Sequence, residues 1–322
     1  MALQMIVLNE ELVMLFAQPI MLFFFSIFIW SFQSFFITKV SREFIFPHLY
    51  RNQVTTYLVA QISIFLHEAS HFLSAIFTGS SIISEETFIK PTHGRVAATS
   101  EESVVGWFSR MIAALAPSFL PPLLFLAIFF LVSGQELEFI TNFSYSKTVV
   151  DFQDSINNGI HNILIPDIIA LARGMTDLTN PLTFFLIYIL MICSIAAGPS
   201  EGDWSATLTL FLSPIPAVTL FAIFLLFSVG FAQLNVSFVV PLMLLLILIL
   251  AAVMLGVVYS FMLAQFLSLM RKRFAFAVAI LVLFFATYYM LYYLYSDSVL
   301  PFILSATVTT ITGIVFKKYT ES

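Results

Sequence analysis

The sequence predicts an all-α polytopic transmembrane helix bundle of about eight spans, six at the fewest, with one short β-hairpin in the loop after the second span. Three observations predict it. The 322 residues are 60% hydrophobic and only 10% charged, with a mean hydropathy of +1.01, well outside the composition of a soluble domain. Apolar windows recur with short polar gaps, each long enough to cross a hydrocarbon core of about 30 Å as a helix. The Phe/Leu/Ile runs are continuous, whereas a membrane barrel needs alternating strands of about ten residues. Lipid cannot satisfy open backbone groups, so the spanning elements are helices.

In chain order the expected spans are 13–38, 54–79, 107–133, 182–199, 206–230, 238–264, 274–296 and 299–316. The N-terminal stretch MALQMIVLNEEL lacks the basic flank and small-residue cleavage site of a signal peptide, so the first apolar segment is expected to stay as an anchor. The second span starts after the charged stretch SREFIFPHLYRNQ, with Asn52, Thr55 and Thr56 as candidate caps. In the loop 80–106, IISEETFIKPTHGRVAAT places two Ile/Thr/Val-rich stretches around a Pro-Thr-His-Gly turn, the pattern of a hairpin. In the loop 134–181, GIHNILIPDIIALARGM fits a short amphipathic helix interrupted at Pro166 and lying on the membrane surface. The late segment LVLFFATYYMLYYLY reads as lipid-facing and packing surface with Tyr near one interface. The chain thus divides into a first span with its connecting loop (1–53), a core (54–210) and C-terminal helices (211–322).

Loop charges set the expected orientation. With eight spans, Lys90, Arg95, Arg110, Arg271, Lys272, Arg273, Lys317 and Lys318 share a side with the N-terminus, against Lys39, Arg42, Arg51, Lys147 and Arg173 opposite. That excess puts both termini and the hairpin loop in the cytoplasm. The net charge of −5 is spread along the chain without a basic patch, so nothing points to nucleic acid. The single cysteine, Cys193, sits in an apolar run and reads as inert packing.

The chemistry is concentrated in YLVAQISIFLHEASHFLSAIFTG, where His67, Glu68 and His71 interrupt an apolar span. Helix positions four apart differ by about 40° and lie about 6 Å apart along the axis, so His67 and His71 can share one zinc ion. Glu68 lies about 100° round from His67, placed to act as general base on a zinc-activated water. This is HExxH, which needs a third protein ligand and leaves a fourth position for water. A charged side chain at the centre of a membrane helix costs roughly 2.5–3.5 kcal/mol on insertion scales, so three ionisable residues there mark a site. Polar side chains that merely glue helices together are more often Ser, Thr or Asn.

The third ligand should come from another span at similar depth. AAGPSEGDWSATL interrupts the apolar stretch between Leu182 and Phe231 and offers Glu201 and Asp203. A helix break at a metal site and a surface turn look alike here. His93 in the hairpin turn, His161 in the second long loop and His48 beside Pro47 are weaker candidates.

HEASH within an apolar span, a hairpin-like loop after it and an aspartate in a later broken segment resemble the site-2 protease-type intramembrane zinc metalloproteases. The resemblance covers residues 54 to about 210. It implies one zinc per chain held by His67, His71 and Asp203, with Glu68 as general base, and a hairpin at about 82–98 able to pair with an extended substrate. The family's usual Leu-Asp-Gly triplet is absent, since Asp203 is followed by Trp204. Residues 199–203 fit a Pro-Ser-x-x-Asp variant of divergent prokaryotic members instead.

The implied activity is a zinc-dependent endopeptidase that hydrolyses peptide bonds of membrane-protein or membrane-associated peptide substrates, its opening facing the cytoplasm. One rival is a membrane protease of the other HExxH class with Glu201 as ligand. Another is a transporter or scaffold that handles metal, for which the chain shows no paired inverted repeats. A membrane desaturase needs many histidines, and the chain has five.

Overall fold

A computed structural model describes residues 28–29, 31–83, 87–90, 94–99, 103–134, 158–198, 200, 202–203, 205, 232–295 and 297–321. Helices dominate. Helix α1 covers residues 31–49 and winds as a wider π-helix over Ser41–Ile45 before closing as an α-helix over Phe46–Leu49. Helix α2, Ile62–Phe77, carries the HExxH residues and continues a π-helical turn over Thr56–Gln61. Next come α3 (Val104–Ser133), α4 (Ile165–Thr176), α5 (Pro181–Ala196), α6 (Ala232–Lys272), α7 (Phe274–Tyr295) and α8 (Val299–Glu321).

Among the described residues, three helices are long and apolar enough to cross a membrane: Val105–Ser133, Pro241–Lys272 and Phe274–Tyr295, the mark of a membrane protein. A fourth span results if Ile160–Thr176 and Pro181–Ala196, bent by 111°, count as one. The expected count of about eight goes beyond this. Of those segments, 206–230 and most of 13–38 lie outside the described residues, and the HExxH helix is not among the helices that qualify.

The loop after α2 forms four two-residue strands, β1 (Ser81–Ile82), β2 (Phe88–Ile89), β3 (Gly94–Arg95) and β4 (Ala98–Thr99). They make two separate antiparallel pairings, Ser81 with Thr99 and Phe88 with Arg95 at their outer ends, instead of one uninterrupted hairpin.

Local chemistry sets the helix boundaries. The Asn52 side chain accepts from the Val54 N–H at 2.9 Å, as an N-cap should. Thr55 and Thr56 act differently from expectation: their hydroxyls donate back to the Leu49 carbonyl at 2.8 and 3.1 Å, closing the end of α1. Ser103 caps α3 by accepting from the Gly106 N–H, and Gly134 ends it at φ 64°, where a side chain would be strained. Pro117, Pro121 and Pro122 all lie inside α3. Each removes a main-chain donor. The Ser118 carbonyl would have bonded to residue 122, and it takes the Gln33 Nε2 of α1 at 3.1 Å instead.

Pro166 does not interrupt its helix. Residues 158–176 run on through a π-helical turn at Ile160–Leu164 into α4, and Pro166 falls where the wider winding gives way to the α-helix. The inward face of α4, with Leu171 and Met175, joins a core of Phe125, Phe129, Leu190, Leu248 and Ile249 that includes the buried Cys193. Helix α5 packs against α6, α3 and α2. Its approach to α6 is close enough that a Cβ on Gly256 would fall on the Ser194 side chain.

The aromatic run of α7 is not simply lipid-facing. Tyr288 is fully buried, and its hydroxyl donates to the Thr176 carbonyl at 2.8 Å while accepting from the Leu178 N–H at 3.1 Å. Tyr259 of α6 donates to the Met175 carbonyl at 2.6 Å, and Ser298 donates to the Arg173 carbonyl at 3.2 Å. Side chains of α6 and α7, and Ser298 just before α8, therefore add hydrogen bonds at the end of α4, where the Arg173 and Thr176 carbonyls also accept from the Asp177 and Leu178 N–H groups. Tyr288→Phe removes two buried hydrogen bonds while the Leu178 N–H keeps its 3.0 Å bond to the Thr176 carbonyl, and is expected to cost about 1–3 kcal/mol in reversible unfolding of the detergent-solubilised protein. Tyr293→Phe, altered at an exposed position, should change it little.

Candidate metal centre

Helix α2 runs between α3 and α5, and its polar residues meet groups from both. His67, Glu68 and Asp203 are buried, and the His71 side chain is nearly so at 13% exposure. Asp203 lies past the end of α5, where residues 202, 203 and 205 are again helical. The Ser200 hydroxyl accepts from the Asp203 N–H at 3.2 Å, and Asp203 Oδ2 accepts from the Ser200 N–H at 2.6 Å. This reciprocal pair is a capping box. The Ser-x-x-Asp pattern at 200–203 carries that signal in the sequence, and reading the stretch only as a break or a turn missed it.

The carboxylate so held faces both imidazoles. Asp203 Oδ2 is 3.2 Å from His67 Nε2, and Oδ1 is 3.1 Å from His71 Nε2. The two rings stand nearly perpendicular, with centroids 4.9 Å apart. One ligand atom from each residue lies within 4.8 Å of the others, and no other such group occurs among the described residues. Ligand atoms about 2.0–2.1 Å from a tetrahedral zinc are about 3.3 Å apart, close to the spacing of Asp203 from each ring.

The other face of each ring decides its tautomer. His67 Nδ1 is 2.9 Å from the Ala196 carbonyl and His71 Nδ1 is 2.8 Å from the Ala113 carbonyl. A carbonyl only accepts, so both Nδ1 atoms carry the proton and donate. Both carbonyls lack their helical partner for readable reasons. Ala113 would bond to residue 117, which is proline and has no N–H. Ala196 would bond to residue 200, but α5 has ended and the Ser200 N–H has turned to Asp203.

With both Nδ1 protons spent, neutral rings present two bare Nε2 lone pairs to an acceptor-only carboxylate. Three acceptors converge without a donor, and a cation resolves this. Protonating both imidazoles would also satisfy the contacts, at the cost of burying two positive charges beside one negative. The group could hold a metal ion, and its donor chemistry fits zinc.

Glu68 sits beside this group without belonging to it. A Cβ on Gly94 would come 2.5 Å from Glu68 Cγ, so β3 can lie against the glutamate only because residue 94 is glycine. The Val96 backbone also hydrogen-bonds to the Glu68 carboxylate. His67 and Glu68 open onto a cavity of about 290 Å³ that Gly94, Ser200, Arg42 of α1 and Tyr50 just past its end also line.

Of the remaining candidates, Glu201 and His93 lie outside the described residues. His161 falls in the π-helical turn before α4 and His48 in the last turn of α1, and neither joins the group. The contributions of Ala113 and Ala196 were beyond reach of motif reading, although Pro117 was a signal for the first. Comparisons with protein-family models, with characterised proteins and with solved structures find no match to this chain.

Pro117→Ala gives Ala113 a helical N–H and makes it compete with His71 Nδ1. Metal affinity, measured by chelator competition, should fall by about tenfold or more. Thermal stability should hold or rise, because proline inside a helix is costly. Gly94→Ala should leave metal affinity intact while displacing Glu68.

Proposed function

We propose that the protein is a zinc-dependent endopeptidase of the membrane, similar to the site-2 protease-type metalloproteases, acting on membrane-protein or membrane-associated peptide substrates. The observation that carries this reading is the convergence of His67 Nε2, His71 Nε2 and Asp203 on one point with Glu68 beside them and a cavity in front. His67, His71 and Asp203 would hold one zinc ion. When bound, zinc supplies Lewis acidity to a water molecule and to the scissile carbonyl.

Glu68 does the proton work. Its carboxylate takes the proton of the attacking water and returns it to the nitrogen of the leaving amine. Gly94 and the Val96 backbone position it for both transfers. Ala113 and Ala196 keep the two rings in one tautomer and orientation through the cycle. The cavity of about 290 Å³ has room for a short stretch of extended chain. A helical substrate would unwind before cleavage, with the short strands after α2 as the neighbouring extended backbone. The full bundle in this reading is multi-pass; the expected cytoplasmic orientation of the termini and the site does not carry over, because the charge count behind it set Arg51 opposite Arg271 and Lys272, whereas the three line one cavity.

Glu68→Gln in the purified protein should keep about one zinc per chain by metal analysis and lose at least about 10²-fold in cleavage of a peptide or membrane-protein substrate. His67→Ala and Asp203→Ala should lose both zinc and cleavage, whereas Glu201→Ala should keep both. Full activity of Glu68→Gln would sink the protease reading. Zinc lost on Glu201→Ala and retained on Asp203→Ala would replace it with the other HExxH class.

A further inference from the structure

A second cavity, of about 1090 Å³, draws on the same stretch of chain as the first. Phe46 and Tyr50 line the cavity beside Glu68, whereas His48 and Arg51 line this one. Its other wall is the end of α6, which contributes Leu267, Arg271 and Lys272. The positive charges are thus clustered in space although dispersed along the chain, and among the described residues no Asp or Glu lines the cavity.

Arg271 and Lys272 have a local reason for their position, since cations are favoured in the last turn of a helix. Arg51 lies between two helix ends: two residues past Leu49, where the end of α1 favours a cation, and just before the Asn52 cap, where the next helix start disfavours one. Burial, with Arg51 and Lys272 alongside, holds the His48 imidazole below its usual pKa. Among the described residues no acidic group compensates the mutual repulsion of these side chains, and an anion would compensate it.

Guanidinium forks with an ammonium suit a tetrahedral oxyanion. The cavity is far larger than one phosphate, and its apolar lining includes Val54 and Leu267. It also lies where two membrane-length helices, Pro241–Lys272 and Phe274–Tyr295, meet across Arg273, which places it at a membrane surface. We propose that this cavity is a phosphate-binding site, formed by Arg51, Arg271 and Lys272, that takes either the phosphodiester of an acidic phospholipid headgroup or free inorganic phosphate.

The test uses the full chain in phosphatidylcholine nanodiscs with and without phosphatidylglycerol, and lipid retained on the released protein is counted by native mass spectrometry. Inorganic phosphate is titrated separately against the melting temperature in phosphatidylcholine alone. The wild type should retain phosphatidylglycerol over phosphatidylcholine by at least about tenfold. R51Q/R271Q/K272Q should abolish that preference with zinc content unchanged, and R51K/R271K should keep most of it. A phosphate-dependent rise in melting temperature without lipid preference, lost in the triple variant, identifies free phosphate as the occupant and also supports the site. Neither response in the wild type, or an undiminished response in the folded triple variant, overturns the proposal. If the triple variant does not fold, the salt dependence of lipid retention by the wild type decides: preference lost at high salt supports the site, and salt-insensitive retention overturns it.

Discussion

The site depends on two main-chain carbonyls that helices cannot satisfy. Pro117 frees the oxygen of Ala113 in the middle of α3, and the end of α5 frees that of Ala196. In an apolar surrounding an unpaired carbonyl is costly, so each draws in a donor. The donors are the Nδ1 protons of His71 and His67. Each bond removes a backbone penalty and also turns a metal-ligating nitrogen toward the same point. Helix α2 is held between α3 and α5 by contacts that set the site at the same time.

Asp203 follows the same economy of hydrogen bonds. Its carboxylate closes the new helix start through Ser200 and faces both Nε2 atoms. A carboxylate buried with so few donors would be unfavourable alone. A cation at the centre of the group makes its burial reasonable and leaves Glu68, which has a separate backbone contact, free for proton transfer. The later helices matter to this arrangement indirectly. They close the carbonyl end of α4, whose own turn leads directly into α5 and so to Ala196.

Much of the site could be read from local spacing. His67, Glu68 and His71 are related by helix geometry alone, and a break around residue 199 announced that something polar interrupts the apolar chain. The Ser-x-x-Asp pattern at 200–203 was readable and would have favoured a helix start over a surface turn. Other expectations failed where position within an element decides the outcome. Pro166 falls where a π-helical turn gives way to an α-helix and interrupts nothing, and Thr55 and Thr56 close the preceding helix. Composition read the aromatic run of α7 as lipid-facing and packing surface with Tyr near one interface, and had no means of singling out Tyr288 as a buried hydrogen-bonding residue. Charge counting along the chain missed the cluster of Arg51 with Arg271 and Lys272, because linear separation carries no information on which helix ends meet.

By itself the sequence determined the helical, membrane-suited character of the chain and the pairing of two imidazoles with one carboxylate on a single helix. These follow from side-chain transfer energies and from 3.6-residue periodicity, which act over a few turns. Only the tertiary structure decided that Asp203 completes the group, that Ala113 and Ala196 choose the tautomers, and that Gly94 lets a strand lie against Glu68. Each of those is a contact between backbone or side-chain atoms of different elements. Such contacts are selected by which polar groups remain unsatisfied once the helices have formed, and that balance exists only when the helices are packed together.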